Sequence, residues 1–458
     1  MNQLDAFYLI FGSLTLFLSL VYFILNSYFS INVRMPRRVD SNKLSDVTVL
    51  IPVYGEKASV FERVISAVAE QDVKFLVVGD GCDEPYRSIT FRYGGRFIKT
   101  PARSGKRNAL ATGISHVDTK FVLFLDSDTV LPSDGVRRML SLMDEGVGGV
   151  SVNVRNVKTG NTFYLAELIE RLKEATMRAV NRSGYAVLLN GKCSLYRTEL
   201  VRPFILSEEF RNPRFMGRRA LIGDDKQLTN YVISRGYKAL LDFETTVLTY
   251  PPESVKKLYR QLIRWSRANY YFFYRELRDG TMFKRGPLYV FNFLYTTILP
   301  FLVMGVSIFD MIFLGSTIVD TNPSDYEVAL LHGGNFLLHL PIILAKRIVF
   351  SLLLGTMTTH YPFSVTQSMF ITPFHSAFHS TPTFLGLHFP RLGFKYSVIL
   401  MHVASYLTAI PFIYALWRLL HEEKLKTLVI GSLALAIQLV VSIYALLTIW
   451  DQDKWLTR

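Results

Sequence analysis

The sequence predicts two kinds of structure in one chain: an α/β domain built on a mostly parallel sheet, and an α-helical transmembrane region flanking it. Three observations carry this. Half of the 458 residues are apolar, only 19% are charged, and the mean hydropathy is +0.24. That excludes a disordered or fibrous chain and is unusual for a soluble enzyme. Stretches free of Lys, Arg, Asp and Glu recur at 6–25, 287–309, 328–345, 396–417 and 427–450, each close to the roughly 20 residues that cross a hydrocarbon core of about 30 Å. Between them, from about 41 to 286, short β-branched runs alternate with amphipathic segments, the pattern of a parallel sheet with helices on both faces.

Taken in order, the run 6–25 follows Asp5 and is not followed by a small-residue cleavage site, so it reads as a retained span and not a signal peptide. Arg34, Arg37 and Arg38 come next and put the following domain in the cytoplasm. V-T-V-L-I-P-V (47–53) is a strand, and Val60, Val64, Ile65 and Val68 mark a helix over 56–70. A second strand, 75–78, ends at Gly79-Asp80-Gly81. Phe97-Ile98 is a third, followed by a basic turn and a helix from Asn108. K-F-V-L-F-L (120–125) is a fourth and ends at Asp126-Ser127-Asp128. In such sheets ligands sit beyond the carboxyl ends of the strands, and each of these polar punctuations lies at one.

Further on, Gly223-Asp224-Asp225 opens a helix closed by Gly236, and a longer helix starts near Pro252-Glu253. Asp310, Asp320, Asp325 and Glu327 form an acidic outer turn between two charge-free runs whose inner ends carry Lys284, Arg285, Lys346 and Arg347. Segment 348–390 has no formal charge but contains four prolines and four histidines; the balance of Lys and Arg around it favours an interfacial or re-entrant segment.

The net charge of +14, from 51 Lys+Arg against 37 Asp+Glu, points in this apolar context to membrane topology and anionic ligands; no nucleic-acid partner is expected. Two cysteines, Cys82 and Cys193, make neither a disulfide framework nor a four-thiolate zinc site.

Several residue groups carry chemistry. Asp126 and Asp128, one residue apart at a strand end, can offer oxygen to Mg²⁺ or Mn²⁺, ions that also take phosphate oxygens; Asp128 could instead cap a helix. Ser104-Gly105-Lys106-Arg107 puts cations and backbone N–H groups at a helix start, which suits a diphosphate or is simply a solvated basic turn. Asp80 could accept from a base N–H between two glycines, or be an ordinary turn residue. Of Asp224 and Asp225, one can cap the helix; the second then repels it, which favours a raised pKa and a general base. Gln261, Arg264 and Trp265 share one helix face at i, i+3 and i+4, where Arg can fork onto a diphosphate and Trp can stack on a sugar, unless the helix only lies on a membrane surface.

I-P-V-Y-G-E (51–56), V-G-D-G (78–81), G-K-R-N-A-L (105–110), D-S-D (126–128), G-D-D-K-Q-L-T-N (223–230) and Q-L-I-R-W-S-R (261–267), in this order over some 220 residues, resemble the membrane-embedded family-two inverting glycosyltransferases. The last two strings look closest to hyaluronan synthases and chitin-oligosaccharide synthases, with cellulose synthases more distant. The resemblance implies a GT-A fold, a UDP-sugar donor and a Mn²⁺ or Mg²⁺ ion. It assigns Tyr54, Glu56 and Asp80 to the uridine, Lys106 and Arg107 to the diphosphate, Asp126 to the donor and Asp128 to the metal. Asp225 would be the base with Asp224 beside it, Arg264 would face the leaving diphosphate, and Trp265, with Gln261 on the same helix face, would line the acceptor site. The implied activity is processive elongation of a hyaluronan-like or chitin-like polysaccharide at the cytoplasmic face of the cell membrane, with the growing chain leaving through the protein's own helices. Two alternatives stand beside it: a single transfer to a lipid acceptor, and a transporter or channel with a regulatory domain. Similar hyaluronan synthases usually begin with two spans where this chain has one, and their C-terminal W-G-T-R-like string is missing; F-S-V-T (363–366) is similar to a cellulose-synthase gating string.

The expected organisation is thus an N-terminal span and basic linker (1–40), a catalytic α/β domain (41–250), an interfacial helix (251–286) and a membrane region (287–458) of about four spans plus the segment 348–390.

Overall fold

The computed structural model describes residues 3–39, 42–302, 383–384, 387–388 and 394–452. The chain starts with helix α1 (Gln3–Ile31) and enters the α/β domain at strand β1 (Val47–Val53). Then follow α2 (Ala58–Ala69), β2 (Lys74–Gly79), α3 (Tyr86–Arg92), β3 (Arg96–Lys99), α4 (Lys106–Ile114), β4 (Phe121–Leu125), β5 (Thr129–Val130) and α5 (Gly135–Leu140). The second half contains β6 (Val147–Asn156), α6 (Phe163–Asn181), β7 (Cys193–Arg197), α7 (Thr198–Leu206) and α8 (Glu208–Arg211). A small hairpin, β8 (Arg214–Phe215) and β9 (Arg218–Arg219), precedes α9 (Asp224–Ser234), β10 (Lys238–Thr249), α10 (Val255–Asp279) and α11 (Thr281–Lys284). The C-terminal helices are α12 (Pro287–Leu302), α13 (Phe394–Leu419), α14 (Lys424–Gly431) and α15 (Leu433–Leu447).

Eight strands form one sheet in the order β3-β2-β1-β4-β7-β6-β10-β5. β1, β2, β3 and β4 are mutually parallel, and β6 is parallel to β10. β7 is antiparallel to both β4 and β6, so β6 and β10 run in the same direction as β4. Five of the parallel strands therefore end at one edge of the sheet, where Tyr54, Asp80, Asp126, Asn156 and Tyr250 follow or finish them. Each face carries its own apolar core: Val49, Ile51, Phe61, Val77, Leu123 and Val136 on one side, and Leu50, Val78, Leu110, Val122, Tyr196 and Val232 on the other. The alternation of Val49, Leu50 and Ile51 between the two clusters is the period-two pleat of a strand buried on both faces.

The expected strands and the helices at 58–69 and 224–234 are all present, within two residues of the boundaries read from sequence. Two differences concern helix starts. α4 begins at Lys106 and not Asn108, with Gly105 as its N-cap at φ 88°. α9 is capped by Gly223 at φ 74°, and neither Asp224 nor Asp225 is the cap. At Gly223 a Cβ would lie 2.4 Å from the Phe272 ring, so only glycine gives both the left-handed turn and the close approach of α10.

Two helical stretches, Gly12–Ile31 and Lys424–Leu447, are long and apolar enough to cross a membrane. α12 and the 407–419 part of α13 are shorter apolar helices among the described residues. α1 packs on α12 and α13 through Tyr22, Phe23, Tyr295 and Phe412, with an Asn26–Asn292 amide pair at 2.8 Å buried in the seam. The expected span at 328–345, most of the segment 348–390 and the string F-S-V-T lie outside the described residues.

Candidate active site

The cleft at the strand-end edge has a volume of about 1700 Å³ and extends from Tyr54, Glu56 and Asp80 to Gln438 and Ser442 on α15. It brings together all twelve residues singled out from the sequence: Tyr54, Glu56, Asp80, Lys106, Arg107, Asp126, Asp128, Asp224, Asp225, Gln261, Arg264 and Trp265 all line it. Their surroundings within the cleft differ.

Lys106 is the electrostatic hub. Its Nζ donates to Asp126 Oδ1 at 2.6 Å and to the Gly191 carbonyl at 3.1 Å, and lies 3.7 Å from Asp224 Oδ2. Burial works to lower its pKa, but Asp126 and Asp224 more than overcome this, so the ammonium stays charged. Burial works to raise Asp224, and Lys106, Arg107 and Arg264 reverse that and hold it below the ordinary carboxylate range. Asp225 goes the other way: burial first, and the Asp224 charge second, raise its pKa. The paired acids thus split into one carboxyl held ionised and one raised, as neighbouring carboxylates in one site do. Asp225 Oδ1 accepts from the Lys226 backbone N–H at 2.8 Å.

Arg107 differs from the expectation that it faces a diphosphate. Its Nε donates to the Leu221 carbonyl (2.9 Å), Nη1 to the Phe210 carbonyl (2.8 Å) and to Gln227 Oε1 (2.7 Å), and Nη2 to the Ile222 carbonyl (3.3 Å). The guanidinium is spent on holding the chain that leads into α9, so of the Lys-Arg pair only the lysine has its charge among the strand-end acids. Asp80 is likewise engaged locally. Its oxygens accept from Ser104 N (2.7 Å), Ser104 Oγ (3.2 Å) and Gly105 N (2.9 Å), fastening the basic turn onto the end of β2.

Some lining groups carried no recognised signal in the sequence. Arg103 stacks over the Tyr54 ring at 4.0 Å from the centroid, giving that end of the cleft a flat, cationic wall. Gly191, in the loop before β7, is packed so that a Cβ there would sit 3.3 Å from Asp225 Oδ2 and 3.4 Å from Lys106 Nζ. Trp265 packs with Ile430, Ile437 and the buried Leu165, Ile169 and Leu262, and the Lys173 ammonium covers its ring at 4.4 Å from the centroid. The indole expected to serve as a bare stacking platform is therefore shared with a cation.

Among the described residues no three Asp, Glu, His or Cys side chains converge on one point. Asp128, whose Oδ1 accepts from Thr129 Oγ1 at 3.3 Å, supplies hard oxygen at the strand end two residues from Asp126. One or two carboxylates, with the other positions left to phosphate and water, is a donor set that fits Mg²⁺ or Mn²⁺ and does not fit a structural zinc.

A second buried network stands behind Asp225. The Glu276 carboxylate on α10 accepts from Lys226 Nζ at 3.0 Å, and its other oxygen pairs with Arg285 Nη1 at 2.9 Å. Tyr289 of α12 donates to the same carboxylate at 2.5 Å, and Arg285 Nη2 donates to Asn230 Oδ1 at 2.6 Å. Glu276 and Arg285 are both buried. Burial lowers the Lys226 ammonium to about 8 even with Glu276 drawing it upward. The network ties α9, which carries the acid pair, to α10 and α12.

A strand-end acid, a charged lysine, a split acid pair and an arginine in one cleft are groups able to serve transfer from an anionic, activated donor. The comparisons with known proteins narrow that class. Residues 45–268 match the family described as glycosyltransferase like family 2. An N-acetylglucosaminyltransferase of Azorhizobium caulinodans is 26% identical over 240 residues, 49% of this chain and 59% of that protein. One from Rhizobium meliloti is 26% identical over 247 residues, 51% of this chain and 57% of its own. The chain thus spans somewhat over half the length of the curated relatives it matches. A mannosyltransferase from Pyrobaculum calidifontis, solved in complex with GDP-Man and Mn²⁺, shares the fold at TM-score 0.53 and 19% identity, over 74% of this chain and 92% of its own. Over residues 45–268 the chain is similar to family-two glycosyltransferases, and its α/β domain has the GT-A-like fold of that mannosyltransferase, which together support a sugar-transferring enzyme.

Proposed function

We propose that the protein is a processive inverting β-glycosyltransferase that takes a UDP-sugar donor on the cytoplasmic side of a membrane and elongates a chitin-like or hyaluronan-like polysaccharide. The observation that carries the reading is the split acid pair: Asp225, raised, stands beside Asp224, Lys106 and Arg264 in a cleft that reaches α15. N-acetylglucosamine is the first donor to test, because that sugar is named for the relatives above. Polymer export is supported by the lining from α10, α12 and α15, which adds Ser266, Tyr270, Thr296, Leu299, Gln438 and Ser442 to the cleft.

The chemistry is one in-line displacement. Asp225 takes the proton of an acceptor hydroxyl, that oxygen forms a bond to the anomeric carbon, and the bond from that carbon to the diphosphate oxygen breaks. Inversion at the carbon turns an α-linked donor into a β-linkage. Lys106 and Arg264 supply positive charge where the departing UDP gains negative charge. Asp128, with Asp126 near it, would hold Mn²⁺ or Mg²⁺, which when bound neutralises diphosphate charge as a Lewis acid. The stacked Tyr54 and Arg103 offer a flat wall for the uracil, and Asp80 holds the turn that presents Lys106.

Release of UDP across a panel of UDP-sugars with Mn²⁺ or Mg²⁺, followed by sizing of the product, tests the reading. Stimulation by UDP-GlcNAc and a long polymer are expected; a single sugar on a lipid would replace processive by single transfer. The pH profile offers a second check. A base raised by burial and by Asp224 stays protonated above the ordinary carboxylate range of about 3.9, so kcat/KM should fall on the acid side along a limb displaced upward. Asp224→Asn removes the neighbouring charge and should move that limb to lower pH. A limb that stays in place would take the base role from Asp225.

A further inference from the structure

Outside the donor machinery the cleft holds a charged group that the reaction above does not use. Glu170 and Lys173 sit on α6, and Lys192 follows Gly191 in the loop before β7. The two oxygens of Glu170 each take one ammonium: Lys173 Nζ on Oε2 at 3.0 Å and Lys192 Nζ on Oε1 at 3.1 Å. All three residues line the cleft. The Glu170 side chain is 8% exposed, whereas those of Lys173 and Lys192 are 32% and 20% exposed.

The position of this cluster is set at both ends. The Lys192 carbonyl accepts from Asp126 N at 2.9 Å, so one end is joined to the strand-end acid. At the other end the Lys173 ammonium covers the Trp265 ring. Asn190 fixes the loop by accepting from Lys192 N and Cys193 N and donating to the Val152 carbonyl, while Gly191 rests against Asp225. Burial works to raise the Glu170 carboxyl, but the two lysines bring it down to about 2, so the carboxylate stays ionised between the two ammonium groups. Each ammonium has three N–H groups and spends one on Glu170. A cluster built only to fasten α6 to the loop would need one lysine and would bury it; here two cations remain partly open to the cavity, between the strand end and the indole.

We propose that Lys173, Lys192 and Glu170 form the acceptor-sugar subsite, in which the two ammonium groups donate to hydroxyl, ring or amide oxygens of the terminal sugar of a neutral β-linked oligosaccharide. The proposal rests on the glycosyltransferase reading and assigns the side chains that recognise the acceptor. Lys173 has a double position, on Glu170 and on the indole, so an incoming ring takes its place over Trp265 while Glu170 keeps hold of the ammonium. Acceptor affinity is then governed by the Lys173 and Lys192 side chains, while the loop backbone at 191–192 stays bonded to Lys106 and Asp126 on the donor side.

The test measures binding and turnover independently on the full chain in lipid nanodiscs. Chitotetraose binding by titration calorimetry is expected to weaken tenfold or more in Lys173→Met and in Lys192→Met, and to return to within about threefold of wild type in Lys173→Arg. In UDP-GlcNAc turnover the same two Met variants are expected to raise the KM for added chitotetraose by a similar factor and to move the KM for UDP-GlcNAc far less. Unchanged chitotetraose affinity in both Met variants, or equal loss of donor and acceptor affinity in well-folded protein, overturns the subsite. UDP release by wild type without acceptor reports the transferase reading alone: its absence across the sugar panel counts against that reading, while the calorimetry still decides the subsite. A thermal melt on each variant separates misfolding from lost recognition, and Lys192→Met, changed in a loop and not in a helix, is the variant that keeps the result decisive if Lys173→Met unfolds.

Discussion

Asp225→Asn is expected to lower sugar transfer by about 10²–10⁴-fold, the range a positioned general base supplies, with donor affinity little changed. The amide keeps the shape of the carboxylate and can still accept from Lys226 N, which is the contact the structure gives Asp225 Oδ1. It cannot take a proton from a hydroxyl. Single-turnover transfer and equilibrium binding of UDP-sugar, measured side by side, check this: turnover near wild type would end the base assignment. The same variant carries a second expectation. Because the folded state raises the Asp225 pKa through burial and the Asp224 charge, its ionised form destabilises the fold, and that destabilisation grows as pH rises through the folded value. An amide does not titrate, so Asp225→Asn should melt at or above the wild-type temperature at neutral pH. Lost activity with gained stability is the usual sign of a strained functional group.

The second large effect is on stability. Glu276→Ala removes the carboxylate that both Lys226 and Arg285 face. Breaking a buried ion pair from one side leaves charge uncompensated and costs about 3–5 kcal/mol. The two cations do not respond alike. Lys226, already lowered to about 8, can shed its proton and become neutral. Arg285 cannot, because guanidinium stays charged at any pH a protein tolerates, and its remaining partners are the Asn230 amide and the Tyr289 hydroxyl and ring. The loss should therefore be dominated by Arg285. A Glu276→Ala/Arg285→Met double variant should recover a large part of it. Thermal unfolding of the solubilised protein, single against double, measures this; a single variant that melts with wild type would show that the network holds nothing together.

Much of the site was legible in the sequence because strand ends announce themselves. Pro52, Gly55, Gly79, Gly81 and the acids after Leu125 interrupt wholly apolar runs, and a parallel sheet collects such interruptions at one edge. The splitting of the Asp224–Asp225 pair was legible too, since like charges on adjacent residues have one electrostatic outcome once both are buried. What could not be read was direction. Lys106 and Arg107 are neighbours on a helix, about 100° apart around its axis, and nothing local tells which one turns to the strand-end acids and which to the carbonyls of 210, 221 and 222. The acidic and basic residues of α6 were passed over for a related reason: Glu167, Glu170, Arg171, Lys173 and Glu174 have the spacing of a solvated helix face, yet Arg171, Glu167 and Glu174 are buried as an ion cluster. Strand β7 was missed because its antiparallel insertion between β4 and β6 depends on partners far away in sequence, and C-S-L-Y-R alone has no more β signal than many surface segments.

The glycine at 191 sets a limit on how this catalyst can change. Most active-site acids are tuned by the side chain leaning on them, and exchanging that side chain is the simplest route to a new basicity. Here the surface against Asp225 and Lys106 at that point is main chain, with no side-chain atom to exchange, and an added Cβ would press on the Asp225 carboxylate at 3.3 Å. On the proposed mechanism, retuning Asp225 falls first to the Asp224 and Lys106 charges that already act on it, and these also shape the donor's electrostatics. In that scheme reaction strength and donor preference are wired to the same two residues, while the side chains proposed for the acceptor, on α6 and at 192, can vary without changing either.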